Sequence, residues 1–215
     1  MIVEEMMQRN VHTLLSTNTV GEAAHLMREH DIRHIPIVNA QNEVIGIITE
    51  HDVKHAFPDG IDEHEKTTIK HTPLNDIMVK NPIIGHPLDL VEEVALTFYE
   101  SKISCLPIVS RGKLVGLITT TDLLYTYIEL TGAHKPSSKI DIRVSDKAGV
   151  LHDISKIFMH HKVNVLSVLI YPDADNDENR IVSVRLQVIN PLAIIQDLRK
   201  EGFDVLWPNV PGIQV

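Results

Sequence analysis

The 215 residues predict a mixed α/β (α+β) chain, made of two β-α-β-β-α repeats followed by a βαββαβ domain. Three observations predict it. The stretch Gly46-Ile47-Ile48-Thr49-Glu50-His51-Asp52 returns as Gly116-Leu117-Ile118-Thr119-Thr120-Thr121-Asp122. The residues around each copy also match in register: Met7 with Met78, Asn10 with Asn81, Val20 with Val91, Ala24 with Ala95 and Pro36 with Pro107. From Lys139 onward the repeat stops, and a new alternation of strand and helix patterns begins.

Taken in order, Val11 to Leu15 reads as a short strand. Thr19-Val20-Gly21-Glu22 has the form of a capping box and opens a helix with Val20, Ala23, Ala24 and Met27 on one face. In the second copy Asp89 is the expected cap, and Val91, Val94, Ala95 and Phe98 form the face. Ile35 to Val38 and Val44 to Ile48 are nearly continuous apolar runs, as in strands covered on both faces. A short helix follows each Thr-x-x-Asp. Pro58-Asp59-Gly60 through Thr72-Pro73 reads as a surface linker, and Ala133 to Ser138 as a domain boundary. The expected divisions are therefore 1–57, a linker at 58–73, 74–131, a linker at 132–138, and 139–215.

The last domain opens with an alternating strand, Lys139 to Val144, and a turn at Asp146 to Gly149. Leu151, Ile154, Ile157 and Phe158 space out an amphipathic helix. Val163 to Tyr171 is an apolar strand, and Pro172 to Asn179 an acidic hairpin loop. A clean alternation from Val182 to Val188 gives the third strand. A helix from Asn190-Pro191 and a strand from Phe203 to Trp207 close the domain. That order implies a four-stranded antiparallel sheet with two helices on one face.

Composition narrows the function classes. Aromatics are only 4%, so Val, Ile and Leu must carry the core. A formal charge of −9 opposes general binding to nucleic acid or anionic membrane. The single Cys105 rules out an internal disulfide and fits a reducing cytoplasm. Met1 to Asn10 carries acidic residues and no long apolar run, unlike a signal peptide, and no stretch reaches the length of a membrane span. The expected location is cytoplasmic.

The repeated motif places a Thr hydroxyl, helix N–H groups and a carboxylate where strand turns into helix. Such a place suits phosphate, and the carboxylate suits ribose hydroxyls. The simpler reading is that Thr49 and Thr119 merely cap helices. A matched pair favours the ligand reading over what one copy would support.

The duplicated half resembles a pair of CBS domains, through Ile/Leu-Pro-Ile-Val at 35–38 and 106–109, the Val-x-Gly-Ile/Leu-Ile-Thr strands, and Asp52 and Asp122. Residues 139–210 resemble an ACT domain through Asp146-x-x-Gly149-Val150-Leu151 and the element order. Two CBS units followed by one ACT domain is similar to the layout of bacterial acetoin-utilisation regulators. That resemblance implies a non-catalytic regulator that binds AMP, ADP, ATP or a related adenosyl ligand as effector, with no prosthetic group. It implies Thr49, Asp52, Thr119 and Asp122 as ligand residues. Arg33 and His34, just ahead of the Pro strand, are implied as phosphate contacts; the second copy has Ser104 and Cys105 there. On this basis the Asp52 cleft is expected to prefer the more anionic ligand. In the ACT half the implied effector turn is Asp146, Gly149 and Leu151. Ala148 stands where many amino-acid-binding members have Pro, so dimerisation is the favoured role there.

Thirteen histidines invite a metal reading, and His51-Asp52-x-x-His55 puts two imidazoles on one helical face. No third ligand is visible, so no metal site is assigned. Neighbouring His160 and His161 are expected to point apart into solvent. No nucleophile motif, Walker loop or dinucleotide glycine motif occurs, so no catalytic residue is assigned. The expected partners are a nucleotide, a second copy and a protein of acetoin or acetate metabolism. The alternative is a structural adaptor without a physiological nucleotide.

Overall fold

A computed structural model of the chain describes residues 1–57, 60 and 62–208. Residues 58, 59 and 61 of the expected first linker lie outside the described residues, as do 209–215 of the last domain. The chain divides into two compact units, Met1–Leu124 and Tyr125 onward. The division falls inside a helix, ahead of the 132–138 boundary read from the sequence.

In the first unit, β1 (Leu14–Leu15), α1 (Val20–His30), β2 (His34–Val38), β3 (Val44–Thr49) and α2 (Glu50–Ala56) form the first repeat. α3 (Glu63–Lys70) and β4 (Val79–Lys80) follow. The second repeat adds α4 (Val91–Ser101), β5 (Cys105–Ser110), β6 (Lys113–Thr119) and α5 (Thr120–Thr131), whose end belongs to the second unit. The Thr19 box forms as expected, with the Thr19 N–H donating to Glu22 at 2.6 Å.

Three local readings need correction. The Val11–Leu15 strand shrinks to Leu14–Leu15, the only part that pairs with β2. The 58–73 linker contains helix α3, because Asp62 and Glu65 make a capping box that outweighs the polar composition. Asp89 does not cap α4. Its carboxylate accepts from the His86 N–H at 2.7 Å and closes the preceding turn, while Leu90 begins the helix without a side-chain cap.

The repeats exchange their opening segments. Val3 and Met7 are buried with Val94, Phe98, Leu106, Ile108 and Ile118 of the second repeat. Leu74 and Met78 are buried with Val20, Ile35, Ile37 and Ile48 of the first. The strand edges follow: β4 pairs with β3, and Gln8 bridges Leu117 of β6. The motif glycines make this possible. A Cβ at Gly46 would lie 2.5 Å from the Met78 sulfur, and one at Gly116 would strike the Met7 sulfur. Each glycine is there for a methionine from the other repeat.

In the second unit, β7 (Ser138–Ser145), α6 (Val150–His160), β8 (Val165–Pro172), β9 (Asn179–Leu186), α7 (Leu192–Lys200) and β10 (Asp204–Trp207) realise the βαββαβ order. The strands lie in the order β10-β7-β9-β8, all antiparallel. Ile140, Ile142, Val182 and Val184 face Ile154, Phe158, Ile195 and Leu198 of the helices in one core. The acidic loop between β8 and β9 is held by one cation. Arg143 Nε donates to buried Asp173 at 2.7 Å, and the same guanidinium reaches Asp204 at 3.1 Å and Asp175 at 3.7 Å.

Candidate ligand site between the repeats

Both motifs adopt one geometry. The Thr49 N–H and hydroxyl donate to the same Asp52 oxygen at 2.8 and 2.7 Å, and the Asp52 N–H donates back to the hydroxyl at 3.2 Å. In the second copy the Thr119 N–H and hydroxyl each donate to Asp122 at 2.7 Å, with the return bond at 3.3 Å. Both threonines therefore cap their helices, and both hydroxyl protons are taken. What remains to a ligand is the outer carboxylate oxygen. In Asp122 that oxygen accepts from the Gln8 side chain at 3.2 Å. Among the described residues no donor reaches the outer oxygen of Asp52. The copies thus differ in a residue, Gln8, that comes from the exchanged segment.

The motifs meet at the seam between the two hairpins. Ile47, Cys105 and Leu117 pack together there with Val11. His34 Nε2 lies 2.7 Å from the Ser104 hydroxyl, so the paired positions ahead of the Pro strands touch. Burial pushes the His34 imidazole below its ordinary 6.5, helped by Arg33 and opposed by Asp52, Asp122 and Glu50. All four neighbours are charged groups of the candidate site, so His34 reports that the structure brings the two motifs together. Cys105 is buried and its thiol is pushed up to about 12 by burial and then by Asp52, which makes it inert at neutral pH.

Arg33 departs from the sequence expectation. Its main-chain carbonyl accepts from the Glu50 N–H at 2.8 Å, but its guanidinium donates to the Thr121 hydroxyl of the second repeat at 3.3 Å. The side chain is long enough to cross the seam, and so it lies at the start of α5 rather than in a cleft belonging to Asp52 alone. It also stays within electrostatic reach of Glu50, which pairs with Lys54 at 2.7 Å. Gln8 and Thr121 carry no signal that sequence spacing could have exposed, because both depend on contacts between repeats.

In the second unit, Asp146, Gly149 and Leu151 line a cavity of about 220 Å³ with Ile170, Arg180 and Val182. Gly149 sits at φ 92° ahead of α6, a left-handed position that favours glycine. Arg180, missed in the sequence, faces Asp146 at 2.8 Å. A larger cavity of about 880 Å³ lies between α6 and the turn after α7, lined in part by Lys147, Lys156, Lys200 and Glu201. Lys156 and Lys200 are there paired with Asp153 and Asp197. His161 is not free in solvent as expected, because its Nε2 lies 2.9 Å from Asp197. His51 and His55 meet edge to face at 4.6 Å. Among the described residues no group of three or more His, Cys, Asp or Glu could hold a metal ion. Nor is any described helix long and apolar enough to cross a membrane.

With this geometry in place, the comparisons with known proteins decide the family. The CBS domain pattern matches residues 3–59 and 74–129, more than half of the chain, and the ACT domain pattern matches 138–203. The chain belongs to the CBS-domain family, with an ACT domain after its CBS pair. Both kinds of domain are regulatory modules. The CBS pair is similar to a solved structure from Vibrio cholerae named for acetoin utilization (AcuB), at 36% identity and a TM-score of 0.54, covering 62% of this chain and 95% of that one. It is also similar to the CBS pair of protein MJ0100 in complex with 5′-methylthioadenosine and S-adenosylmethionine, at 26% identity and a TM-score of 0.52 over 63% and 98% of the two chains. Among curated relatives, an uncharacterized protein of Methanocaldococcus jannaschii is 36% identical over 61% of this chain, and a homoserine O-acetyltransferase of Methanococcus vannielii is 34% identical over 58%. The chain spans only 43% and 24% of the length of those two proteins.

Proposed function

We propose that this CBS-ACT protein is a non-catalytic sensor that binds an adenosine compound between its CBS repeats, with Asp52 and Asp122 as the ribose acceptors. The observation that carries this reading is the pair of matched carboxylates, each held by its own Thr and both within the electrostatic reach of His34. The adenosyl ligands of the MJ0100 CBS pair support the chemical class. Likeness to the Vibrio protein supports a place in acetoin or acetate utilisation, with a protein of that metabolism as partner. The working form is a homodimer in the cytoplasm. Edge strand β8 exposes Val168, Ile170 and Tyr171 at 43, 52 and 41%, which suits a second copy of the strand. Thermal-shift screening with adenosine, 5′-methylthioadenosine, S-adenosylmethionine, AMP, ADP and ATP tests the reading. A ligand at 100 times its Kd adds about 2.7 kcal/mol, and a flat profile across all six removes the sensor.

One observation favours the adaptor reading instead. Both Thr hydroxyls are used in caps, so neither is a spare donor for phosphate. Under that reading the clefts stay empty and only dimerisation matters, and the same screen separates the two.

A further inference from the structure

His34 stands where the repeats meet, and an imidazole is the side chain whose charge changes nearest to neutral pH. It opens β2 opposite Thr49, is half-buried, and places its Nε2 2.7 Å from the Ser104 hydroxyl of the second repeat. That hydroxyl can donate to the neutral ring or accept from it. The charged groups that face the ring are Arg33 beside it on the chain, Glu50 and Asp52 in the first turn of α2, and Asp122 in the first turn of α5. The neighbouring Cys105 thiol stays protonated and adds no charge.

The three carboxylates are not equally available to a cation on this ring. Glu50 is held by Lys54 at 2.7 Å, and the outer oxygen of Asp122 accepts from Gln8 at 3.2 Å. Both Thr49 donors go to one Asp52 oxygen, which leaves the other without a donor among the described residues. Asp52 also acts on Cys105 of the second repeat, so its carboxylate looks into the seam. We propose that His34 is a proton switch at this seam: neutral, it joins the repeats through Ser104, and protonated, it claims the Asp52 carboxylate that an effector would use. Burial and Arg33 keep the ring neutral at pH 7 against the pull of the carboxylates. Acid then sets an imidazolium against the free Asp52 oxygen, in a charge-assisted contact that competes with ribose hydroxyls. By reciprocity, an effector seated on Asp52 must make His34 harder to protonate. The effector half of the switch rests on the reading that adenosine compounds bind between the repeats.

Calorimetric titration of the full chain with 5′-methylthioadenosine tests the switch, since this probe changes no charge of its own between about pH 8 and about pH 5. Affinity should fall toward acid, by up to about tenfold per pH unit below the His34 midpoint, as one linked proton requires. His34→Gln should flatten that profile. A second measurement needs no ligand: the His34 ring resonance, assigned by its loss in His34→Gln, is followed against pH in the unaltered chain and in Asp52→Asn. Asp52→Asn should lower the ring's midpoint, because it removes a charge that favours the imidazolium. Saturation with 5′-methylthioadenosine should lower it as well. Binding that is independent of pH, or a slope that survives in His34→Gln, overturns the switch and leaves the sensor standing. No heat at any pH removes the sensor and the competition with it. The ring midpoint in Asp52→Asn still decides whether His34 and Asp52 form a proton-linked pair, and an unmoved midpoint overturns that pair.

Discussion

His34 sits at the seam with one nitrogen on the Ser104 hydroxyl and the carboxylates of Asp52, Asp122 and Glu50 within reach. Its pKa is depressed below 6.5, chiefly by burial, so the folded chain holds it neutral while the unfolded chain accepts a proton first. Stability from this group is therefore complete above about 6.5 and is lost as pH falls from there through the lower folded value. Urea midpoints between pH 7.5 and 5 should fall for the unaltered protein, and His34→Gln should flatten that slope; an unchanged slope would assign the loss to other groups. Thr119 offers a second test at this scale. Thr119→Ala removes the acceptor for the Asp122 N–H and should cost about 1 kcal/mol in chemical unfolding. A neutral result would mean the cap contributes nothing. The caps themselves were legible, because Thr-x-x-Asp before a helix is a local signal. The path of Arg33 was not, because a long side chain chooses its partner from the three-dimensional neighbourhood.

Among the elements, the strands β3 and β6 explain why a glycine opens each repeated motif. Sequence pattern ties Gly46 and Gly116 to the ligand turn, but the structure ties them to methionines from exchanged segments. Gly46→Ala should lower stability by about 1–2 kcal/mol, since Met78 is buried and must shift to admit a methyl group. Pairing it with Met78→Ala should be clearly non-additive, and strict additivity would show that the two residues do not meet. Periodicity identified α1, α4, α6 and α7 because each has one apolar face. It missed α3, which has no buried residue and owes its place to the Asp62 box. It also overextended the first strand, since apolar residues at Val11 and Leu15 do not guarantee a pairing partner.

For the whole molecule, duplication was readable and exchange was not. Matching Met7 to Met78 shows that the segments are equivalent, yet equivalence is silent on which core each one enters. Val3 and Met7 belong to the second repeat's core, so removing residues 1–9 should expose amides of α4, β5 and β6 to hydrogen exchange while β2 and β3 stay protected. Loss of protection in the first repeat instead would contradict the exchange. The ACT half was legible in its order of elements, because its strands alternate and its helices are amphipathic. Its Arg143 cluster was hidden, because the carboxylates come from a loop and a distant strand.

The most direct test of the central claim is titration of AMP and 5′-methylthioadenosine into a chain carrying Asp52→Asn and Asp122→Asn together. Asparagine keeps an oxygen for each Thr cap, so the urea midpoint should shift little. Affinity for both compounds should fall by about tenfold or more, as expected when charged acceptors for ribose hydroxyls become neutral. Binding that survives the double replacement unchanged would place the ligand elsewhere and contradict the account.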